Sequence, residues 1–582
     1  MNPNLFRVRF NRAFCAALLA AFVLSSGGAL ATPGSSDVVA YDVSPEFAGQ
    51  TLVALDVTAT WHADASGTTT LLLPDQDNGA SVLWKNIKDL KVGGAQSIAE
   101  DGPAKRVVTS APGAALTLHY RVVSALDHDP TGDEVDPYKP IIRPHWFWIF
   151  GEALFVYPEN KTARAQFHWD GAKDYPFASD LEHANGQPMS MTDLTESLAV
   201  GGPDLRVFSR QIGDARLRVA MIGHYGFTDE DFVSITSRIV AGERKFWGGH
   251  EGPFLVALAA TTSGSPHINA DGNGRGDAFA ILSTPNIPLS DLEPLLAHEY
   301  FHTWNPIRMG GMAAGEQEPS SYWFSEGFTD YYKRRLLLRM GLYSLEAFIA
   351  DWNKVLMAYA GSPVRLAPNQ EIVTQEYSGG ADIHDLPYQR GSIMAARWDR
   401  ELKKKSHGKL GLDQVMRAMP GEAAKLGDKS PVAPDLFVET MRRMGLDIRT
   451  DAENVIEQGK PALLPKDAFG ECIAVVTKSV PVFDHGFDFM ATVRNGGIVT
   501  GLEPGGPAER AGIRDGMRIA IDEQRTNDSQ QPLTYTYKKP DGTMEKFVFK
   551  PQGNTMTTLQ QLQLAPGLTD ARRSHCAKSA AG

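Results

Sequence analysis

Two histidines and a glutamate near the middle of the chain have side-chain types and a spacing that could do chemistry. The stretch His298-Glu299-Tyr300-Phe301-His302 spells H-E-x-x-H inside residues 290–305, a segment predicted to be helical. Residues four apart lie on one helical face, so both imidazoles can reach a single cation. The glutamate would then lie beside a metal-bound water and could take its proton. Because a chance match on a solvated helix is the alternative, the hypothesis depends on a third ligand.

A second motif downstream offers that ligand. Glu326 lies on a second predicted helix, residues 323–340, and supplies the carboxylate that a catalytic zinc ion often takes as its third protein ligand. Asp330 follows four residues later on the same face, so it could accept the spare N–H of a ligating histidine. The neighbours of both acids are apolar, which indicates burial rather than a solvated acidic face. These neighbours are Trp323, Phe324, Phe328 and Tyr331.

Both motifs closely resemble those of the glycyl aminopeptidase family of gluzincin zinc metallopeptidases. The matching strings are H-E-Y-F-H-T-W-N at residues 298–305 and W-F-S-E-G-F-T-D-Y-Y at residues 323–332. The resemblance implies one zinc ion per chain with three protein ligands and a general base. The implied ligands are His298, His302 and Glu326, and the implied base is Glu299.

The same resemblance implies a multidomain α+β fold. Its parts are a β-sandwich-like N-terminal domain, a thermolysin-like catalytic domain with a helical part, and a C-terminal PDZ-like β domain. The local patterns agree, since strand-like runs dominate the N-terminal region and helical patterns dominate residues 345–445. The predicted segments are 1–31 (signal peptide), 32–210 (N-terminal β domain), 211–465 (catalytic domain with helical subdomain), 466–555 (PDZ-like domain) and 556–582 (tail).

A tyrosine in the helical region is a candidate for the oxyanion. The string L-P-Y-Q-R-G at residues 386–391 resembles the P-Y-x-K-G segment of related gluzincin aminopeptidases, with Arg390 in place of the usual lysine. In those enzymes the tyrosine donates a hydrogen bond to the oxyanion of the tetrahedral intermediate. The resemblance therefore implies Tyr388 as a second catalytic residue. A core tyrosine at this position, and Tyr377 as the donor instead, stay open.

The chemistry implied is hydrolysis of a peptide bond by a zinc-activated water, with an aminopeptidase-like substrate. One segment departs from the family pattern. Its aminopeptidases carry a G-G-x-E-H strand before the zinc helix, whose acid binds the substrate's free amine, whereas residues 276–280 here spell G-D-A-F-A. Asp277 is shorter by one methylene and shifted in register. The sequence therefore predicts altered recognition of the N-terminus and leaves endopeptidase action open.

The C-terminal region contains a second resemblance. Residues 497–519, including P-A-E-R-A-G at 507–512, resemble the central part of a bacterial PDZ domain. Such domains bind extended chain ends by adding them to a sheet edge, so a chain-end ligand is a predicted partner beside the peptide or protein substrate. A non-catalytic PDZ-bearing adaptor with a peptidase fold is the alternative function. A related hydrolase acting on a non-peptide substrate is a third.

Charge and the N-terminal residues limit partners and location. A formal charge of −12 and a pI near 5.7 argue against nucleic-acid binding, which requires a basic footprint. Three arginines precede an apolar stretch and the A-L-A sequence that ends at Ala31, so we expect cleavage there and export to the periplasm or medium, without a membrane span afterwards. Cys472 and Cys576 then remain, and an oxidising compartment would let them pair or leave them as free thiols.

Overall fold

The computed structural model describes residues 7–8, 38–76, 81–132, 136–160, 162–171, 175–249, 252–262, 268–376, 380–521 and 527–582. The predicted signal peptide, with its cleavage point after Ala31, lies outside the described residues except for positions 7 and 8. The described residues form two compact units, one reaching to Tyr300 and the other running from Phe301 to Gly582. Within those ranges no helix combines the length and the apolar character needed to cross a membrane.

The first unit begins with layers of β-sheet. In the strand Thr51–His62 buried Leu55, Val57 and Ala59 alternate with more exposed residues, as expected for a strand with one face on a core. One sheet has the order Met189–Ser190, Arg164–Trp169, Val38–Ala48, Thr51–His62, Ala115–Val122 and Ile87–Gly93. Two others have the orders Tyr157–Pro158, Thr68–Leu72, Lys105–Thr109, Ser97–Glu100, and Phe177–Ser179, Leu198–Gly201, Trp146–Phe150, Ile141–Arg143. Short helices here are Leu83–Asn86, Gly151–Leu154, Asp180–Ala184 and Met191–Thr195.

A mostly parallel sheet with a helix completes this unit. Its order is Arg7–Val8, Asn269–Arg275, Ala278–Ser283, Phe254–Ala260, Ala215–Ile222 and Arg206–Ile212. Ala278–Ser283, Phe254–Ala260 and Ala215–Ile222 run parallel to one another, and helix Asp229–Trp247 connects the last two. The first two of these strands are buried on both faces, which is typical of parallel strands covered on both sides. Strand Arg206–Ile212 spans the predicted boundary between the N-terminal β domain and the catalytic domain, at 210/211.

The glycine-rich run 271–277 lies in this sheet. Read alone, its glycines predict a turn between strands, but Asn269–Arg275 is a strand antiparallel to Ala278–Ser283. Only Gly276 and Asp277 form the turn, and Gly276 has a φ of 37°, in the left-handed region. Gly272 is needed for close packing, because a Cβ there would lie 2.8 Å from the Phe279 ring and 3.1 Å from Leu295. Ladder pairing thus outweighs the local turn preference of the glycines.

The first unit ends in Leu289–Phe301, which we call the motif helix. The second unit is helical at its centre, as the patterns over residues 345–445 predicted; we call Tyr322–Arg339 the Glu326 helix and Ala381–Lys405 the Tyr388 helix. Other helices are Leu345–Gly361, Asn369–Gln375, Leu412–Leu426, Ala433–Arg443 and Arg449–Ala452, with short turns at Ile307–Met309, Gly315–Ser321, Gly427–Lys429 and Glu453–Glu457. The rings of Trp323, Phe328, Trp398 and Phe437 pack together between these helices. The mixed α+β multidomain prediction is confirmed.

The C-terminal region returns to strands. Ile473–Phe483 pairs with Gln552–Leu564, and Ile519–Ile521, Leu533–Lys538 and Met544–Phe549 form another sheet. The helices are Phe489–Arg494, Pro507–Arg510 and the C-terminal helix, Asp570–Ala581. A small separate core holds Phe487, Val499, Ala508, Ile513, Ile519, Tyr535 and Phe547. A short helix occurs at the predicted P-A-E-R position, while a PDZ fold for this region stays a prediction.

The two cysteines that follow the signal segment are joined. Cys472, just before strand Ile473–Phe483, forms a disulfide with Cys576 of the C-terminal helix. Both are buried, at 6% and 1% exposure. Of the two states that the sequence left open, the structure therefore has the paired one.

Candidate metal centre

The three predicted ligands converge. One ligand atom from each of His298, His302 and Glu326 lies within 4.8 Å of the other two, and this is the one such cluster among the described residues. The two histidines are 1% and 5% exposed, and the Glu326 side chain is 14% exposed. The motif helix holds the first histidine in place because Leu292, Leu295 and Leu296 are buried on the same element. The cluster combines His298 of the motif helix, His302 directly after it, and Glu326 from a separate helix.

The motif helix ends earlier than predicted. It stops at Phe301, so His302 begins the turn that follows. The reason is Pro306, which lacks an N–H and disfavours helical geometry at the residue before it. The Asn305 carbonyl instead accepts a hydrogen bond from Nδ1 of His302 at 2.8 Å. This bond fixes the ring so that Nε2 faces the other ligands.

The contact between His302 and Glu326 tests whether a zinc ion fits this site. Nε2 of His302 lies 3.3 Å from Oε2 of Glu326. In the neutral tautomer selected by the Asn305 carbonyl, Nε2 carries a lone pair, so two electron-rich atoms face each other. A proton on Nε2 or a cation between the two atoms relieves this contact. The approach of a third donor, His298, favours the cation, and two imidazoles with one carboxylate are a zinc donor set.

Asn305 is a positioning residue that sequence reasoning missed. Its Nδ2 donates to the Thr329 hydroxyl at 3.0 Å and to the Ser325 carbonyl at 3.1 Å. The residue is fully buried, so these bonds are shielded from water. Asn305 therefore connects the histidine-bearing turn with the Glu326 helix. The available signal was the Asn-Pro pair directly after the motif, which marks a turn.

Asp330 was predicted to orient a ligating histidine. Its carboxylate is 3.0 Å from the Arg334 guanidinium and 2.5 Å from the Lys333 ammonium, and the residue is 8% exposed. At His302 the orienting acceptor is the Asn305 carbonyl instead. Orientation of His298 by Asp330 stays a prediction. The ion pairs of Asp330 stabilise the helix that carries Glu326, since all three residues lie within one turn.

A close helix crossing brings Tyr388 towards this region. Gly327, next to Glu326, faces Gly391: a Cβ on Gly327 would lie 2.5 Å from the Gly391 Cα and 2.9 Å from the Pro387 carbonyl oxygen. Only glycines allow the two helices to approach so closely. Tyr388 directly follows Pro387 and is partly exposed. Tyr377, the other candidate, lies outside the described residues.

Arg390 has a structural role. It replaces the lysine of the related segment, is 1% exposed, and donates to the carbonyls of Ala367 at 2.6 Å and Ile456 at 3.3 Å. Burial lowers the pKa of its guanidinium. Its contacts therefore anchor the Tyr388 helix to the chain segments around it. The lysine-to-arginine change suits this use, because the planar guanidinium can bond several carbonyls at once.

Asp277 lies in the turn between strands Asn269–Arg275 and Ala278–Ser283. Its carboxylate is 3.3 Å from Nε2 of His183. Nearby, the buried Asp180 accepts a hydrogen bond from the Leu198 N–H at 2.9 Å. Burial raises the pKa of Asp180 to about 7, helped by the charge of Asp277 and opposed by the Leu198 N–H. Asp277, which the sequence offered as a substitute amine ligand, thus belongs to a partly exposed acid–imidazole pair beside the buried Asp180.

Replacing Asp180 by asparagine should change the pH dependence of stability. The pKa is about 7 in the folded protein against 3.8 for the free side chain, so its stabilising contribution is complete below pH about 4 and is lost as the pH rises through 7. The full loss is about 4 kcal/mol, of which roughly 2–3 kcal/mol falls between pH 5 and pH 8. The stability difference between wild type and Asp180→Asn, from urea unfolding at these pH values, should shift by that amount. A stability difference that does not vary with pH contradicts this prediction.

The donor set and the helices that carry it define the class: a zinc metallopeptidase. Residues 291–382 match the family model described as M61 glycyl aminopeptidase, and this range contains both metal-binding motifs. The resemblance predicted from those motifs is thereby confirmed over this segment. The number of zinc ions per chain and the role of each site residue stay predictions.

One solved structure shares the fold, and a second shows a weaker similarity. The crystal structure of an aminopeptidase N family protein from Idiomarina loihiensis has a TM-score of 0.68 and 16% identity, and the match covers 94% of this chain and 99% of that one. The M1 zinc metallopeptidase from Deinococcus radiodurans has a TM-score of 0.45 and 15% identity, covering 74% of this chain and 95% of that one. No curated protein sequence matched this chain closely enough to count as a relative. The first likeness shows a common fold over nearly the full length.

Proposed function

We propose that this zinc metallopeptidase is exported and acts as an aminopeptidase with altered recognition of the substrate N-terminus. The observation that carries the proposal is the His298–His302–Glu326 cluster inside the matched segment. In this proposal those three residues hold one zinc ion and Glu299 is the general base. The signal at residues 1–31, the PDZ-like module at 466–555 and its chain-end ligand belong to the same proposal.

The mechanism assigns each proton to a residue of the chain. When bound, zinc supplies Lewis acidity that polarises a peptide carbonyl and lowers the pKa of water towards about 7. Glu299, half-buried beside His298 on the motif helix, takes the proton of the attacking water. The same carboxyl group then gives that proton to the leaving amine. The turn at Asn305 keeps His302 oriented while the charge redistributes.

Tyr388 has the second catalytic role in this proposal. Its hydroxyl donates a hydrogen bond to the developing oxyanion, which is worth more in a site that excludes water. Support comes from the Gly327–Gly391 crossing, which brings the neighbouring Pro387 against the helix of Glu326. The buried contacts of Arg390 hold this segment in place.

Zinc removal is the experiment that tests the proposed function. The purified protein should contain zinc, hydrolyse a tripeptide with a free N-terminus, lose that activity with 1,10-phenanthroline and regain it with added zinc. The N-acetylated tripeptide should be a poor substrate. A zinc-free protein without hydrolysis would favour the adaptor, and equal cleavage of both peptides would favour an endopeptidase.

Tyr388→Phe should lower kcat by about 10²- to 10³-fold, as expected for loss of one oxyanion donor. KM and zinc content should stay near the wild-type values, because the ring and the ligands remain. Steady-state kinetics on the free tripeptide, with zinc measured by plasma emission, check this. A raised KM with unchanged kcat would assign Tyr388 to substrate binding instead.

A further inference from the structure

Two more carboxylates and a histidine lie around the first turns of the Glu326 helix. Glu318 belongs to the turn Gly315–Ser321, which leads directly into that helix. Glu376 directly follows the short helix Asn369–Gln375. His384 is in the first turn of the Tyr388 helix. None of the three is a predicted zinc ligand, and the mechanism above does not use them.

Glu376 has one engaged and one unpartnered oxygen. Its Oε1 is 2.6 Å from Nδ1 of His384, and its side chain is 4% exposed. Oε2 is buried and has no hydrogen-bond partner among the described residues. A buried carboxylate oxygen without a donor is costly, by about 1–3 kcal/mol or more for a charged group. The oxygen therefore has capacity for a donor from a ligand.

Glu318 lies close enough to Glu326 and Glu376 for their charges to affect it. Glu318 accepts a hydrogen bond from the Tyr322 hydroxyl at 3.1 Å. Burial raises its pKa, and the nearby charges of Glu326 and Glu376 raise it further. The charge of Glu326, a proposed zinc ligand, would be balanced by zinc in the loaded protein. The charges of Glu318 and Glu376 remain, and a second cation between them is favoured because they repel each other.

The surrounding elements hold the acids next to the proposed catalytic groups. The side-chain amide of Asn369 donates to the Ser320 carbonyl at 3.0 Å, which ties the helix before Glu376 to the turn that carries Glu318. The His384 ring lies 5.5 Å from the Tyr388 ring, centroid to centroid. His384 and Glu318 are partly exposed, so a ligand can approach from solvent. Glu376 is thus connected through His384 to Tyr388, the proposed oxyanion donor.

We propose that Glu318 and Glu376 bind the α-ammonium group of the substrate's N-terminal residue and that His384 is the positioning residue for Glu376. An ammonium group has three donors and a full charge, which suits two carboxylates, one with a free oxygen. Residues 276–280 contain one acid, Asp277, and its carboxylate faces His183. The proposal rests on the proposed peptidase function and names its specificity site.

Ligand affinity separates this role from catalysis. Binding of L-alaninamide and N-acetyl-L-alaninamide to the zinc-loaded full chain is measured by calorimetry. Glu318→Gln and Glu376→Gln should each raise the Kd of L-alaninamide by roughly 10- to 100-fold, because a charge-assisted bond is lost. The acetylated compound, which lacks the charge, should show no change. Glu316→Gln and Glu371→Gln, on the same turn and helix, are the matched controls and should bind as wild type does.

Further variants and outcomes decide the proposal. His384→Asn keeps an N–H near Nδ1 and should retain most of the affinity, whereas His384→Leu should lose as much as Glu376→Gln. If Glu376→Gln does not fold, Glu318→Gln decides alone. Wild-type affinity for L-alaninamide in Glu318→Gln, or in a folded Glu376→Gln, overturns the proposal. Failure of the peptidase function would appear separately, as absent peptide hydrolysis by the zinc-loaded wild type.

Discussion

Replacing Glu299 by glutamine is expected to lower kcat by about 10²- to 10⁴-fold while zinc stays bound. The amide has the same shape as the carboxylate but cannot take a proton from water at neutral pH. The proposed ligands are untouched, because His298, His302 and Glu326 form the cluster without Glu299. Steady-state kinetics on the free tripeptide and zinc analysis of the same preparation measure both quantities.

A control on the same helix separates proton transfer from a general charge effect. Glu293, like Glu299, is half-buried on the motif helix, and Glu293→Gln removes an identical charge. This control should keep kcat within a few-fold of wild type. Unchanged kcat in Glu299→Gln would refute the general-base role, and loss of zinc in that variant would show that Glu299 contributes to the ligand set.

Removal of the disulfide is expected to produce the largest loss of stability. Cys472 and Cys576 close a loop with a sequence separation of 104 residues. In the chain-entropy model such a cross-link stabilises the folded state by about 4–5 kcal/mol, because it restricts the unfolded chain. Cys576→Ser should lower the free energy of unfolding by that amount in urea denaturation without reductant.

Two comparisons check the origin of this effect. Cys472→Ser should have the same consequence, and the double variant should be no less stable than either single one, because one bond is lost in each case. Wild type unfolded in the presence of reductant should behave like the variants. Variants as stable as oxidised wild type would show that the cross-link adds nothing.

The disulfide also anchors contacts with the Glu326 helix. The carbonyl of Ala581, at the end of the C-terminal helix, accepts a hydrogen bond from Nε of Arg335 at 3.0 Å. Arg335 is 1% exposed and its guanidinium lies 3.0 Å from Asp413. A loosened C-terminal helix would leave that guanidinium with fewer partners, which is costly for a buried charge. Hydrogen exchange in Cys576→Ser should therefore increase over residues 570–581 first.

The candidate site illustrates what local sequence can and cannot predict. The i, i+4 spacing of His298 and His302 and the apolar neighbours of Glu326 were visible along the chain, because helical periodicity is a local property. The end of the motif helix at Phe301 and the use of the Asn305 carbonyl were not predicted. The helix end follows from Pro306, a local signal that the prediction overlooked. The bond to the Asn305 carbonyl depends instead on which backbone group lies within reach of Nδ1 once the turn has formed.

The glycine-rich strand Asn269–Arg275 shows the same limit of local sequence for the prediction of the fold. Glycines in Asn269–Arg275 favoured a turn when read alone, yet this segment is a strand because it pairs with Ala278–Ser283 and packs Gly272 against Leu295. Partners distant in sequence contribute more than the local preference of a few glycines. The helical region was predicted well, since its periodic apolar faces extend over many turns.

By itself the sequence indicated the resemblance to the glycyl aminopeptidase family, the two metal-binding motifs and the mixed α+β composition, because these depend on residue types and short spacings. Only the tertiary structure brought Glu326 to the two histidines, set Gly327 against Gly391 near Tyr388, and joined Cys472 to Cys576. It also placed Glu376 against His384, a pair that no motif indicates. The physical reason is that such contacts arise from packing between separate elements, and their partners are not encoded in any local pattern.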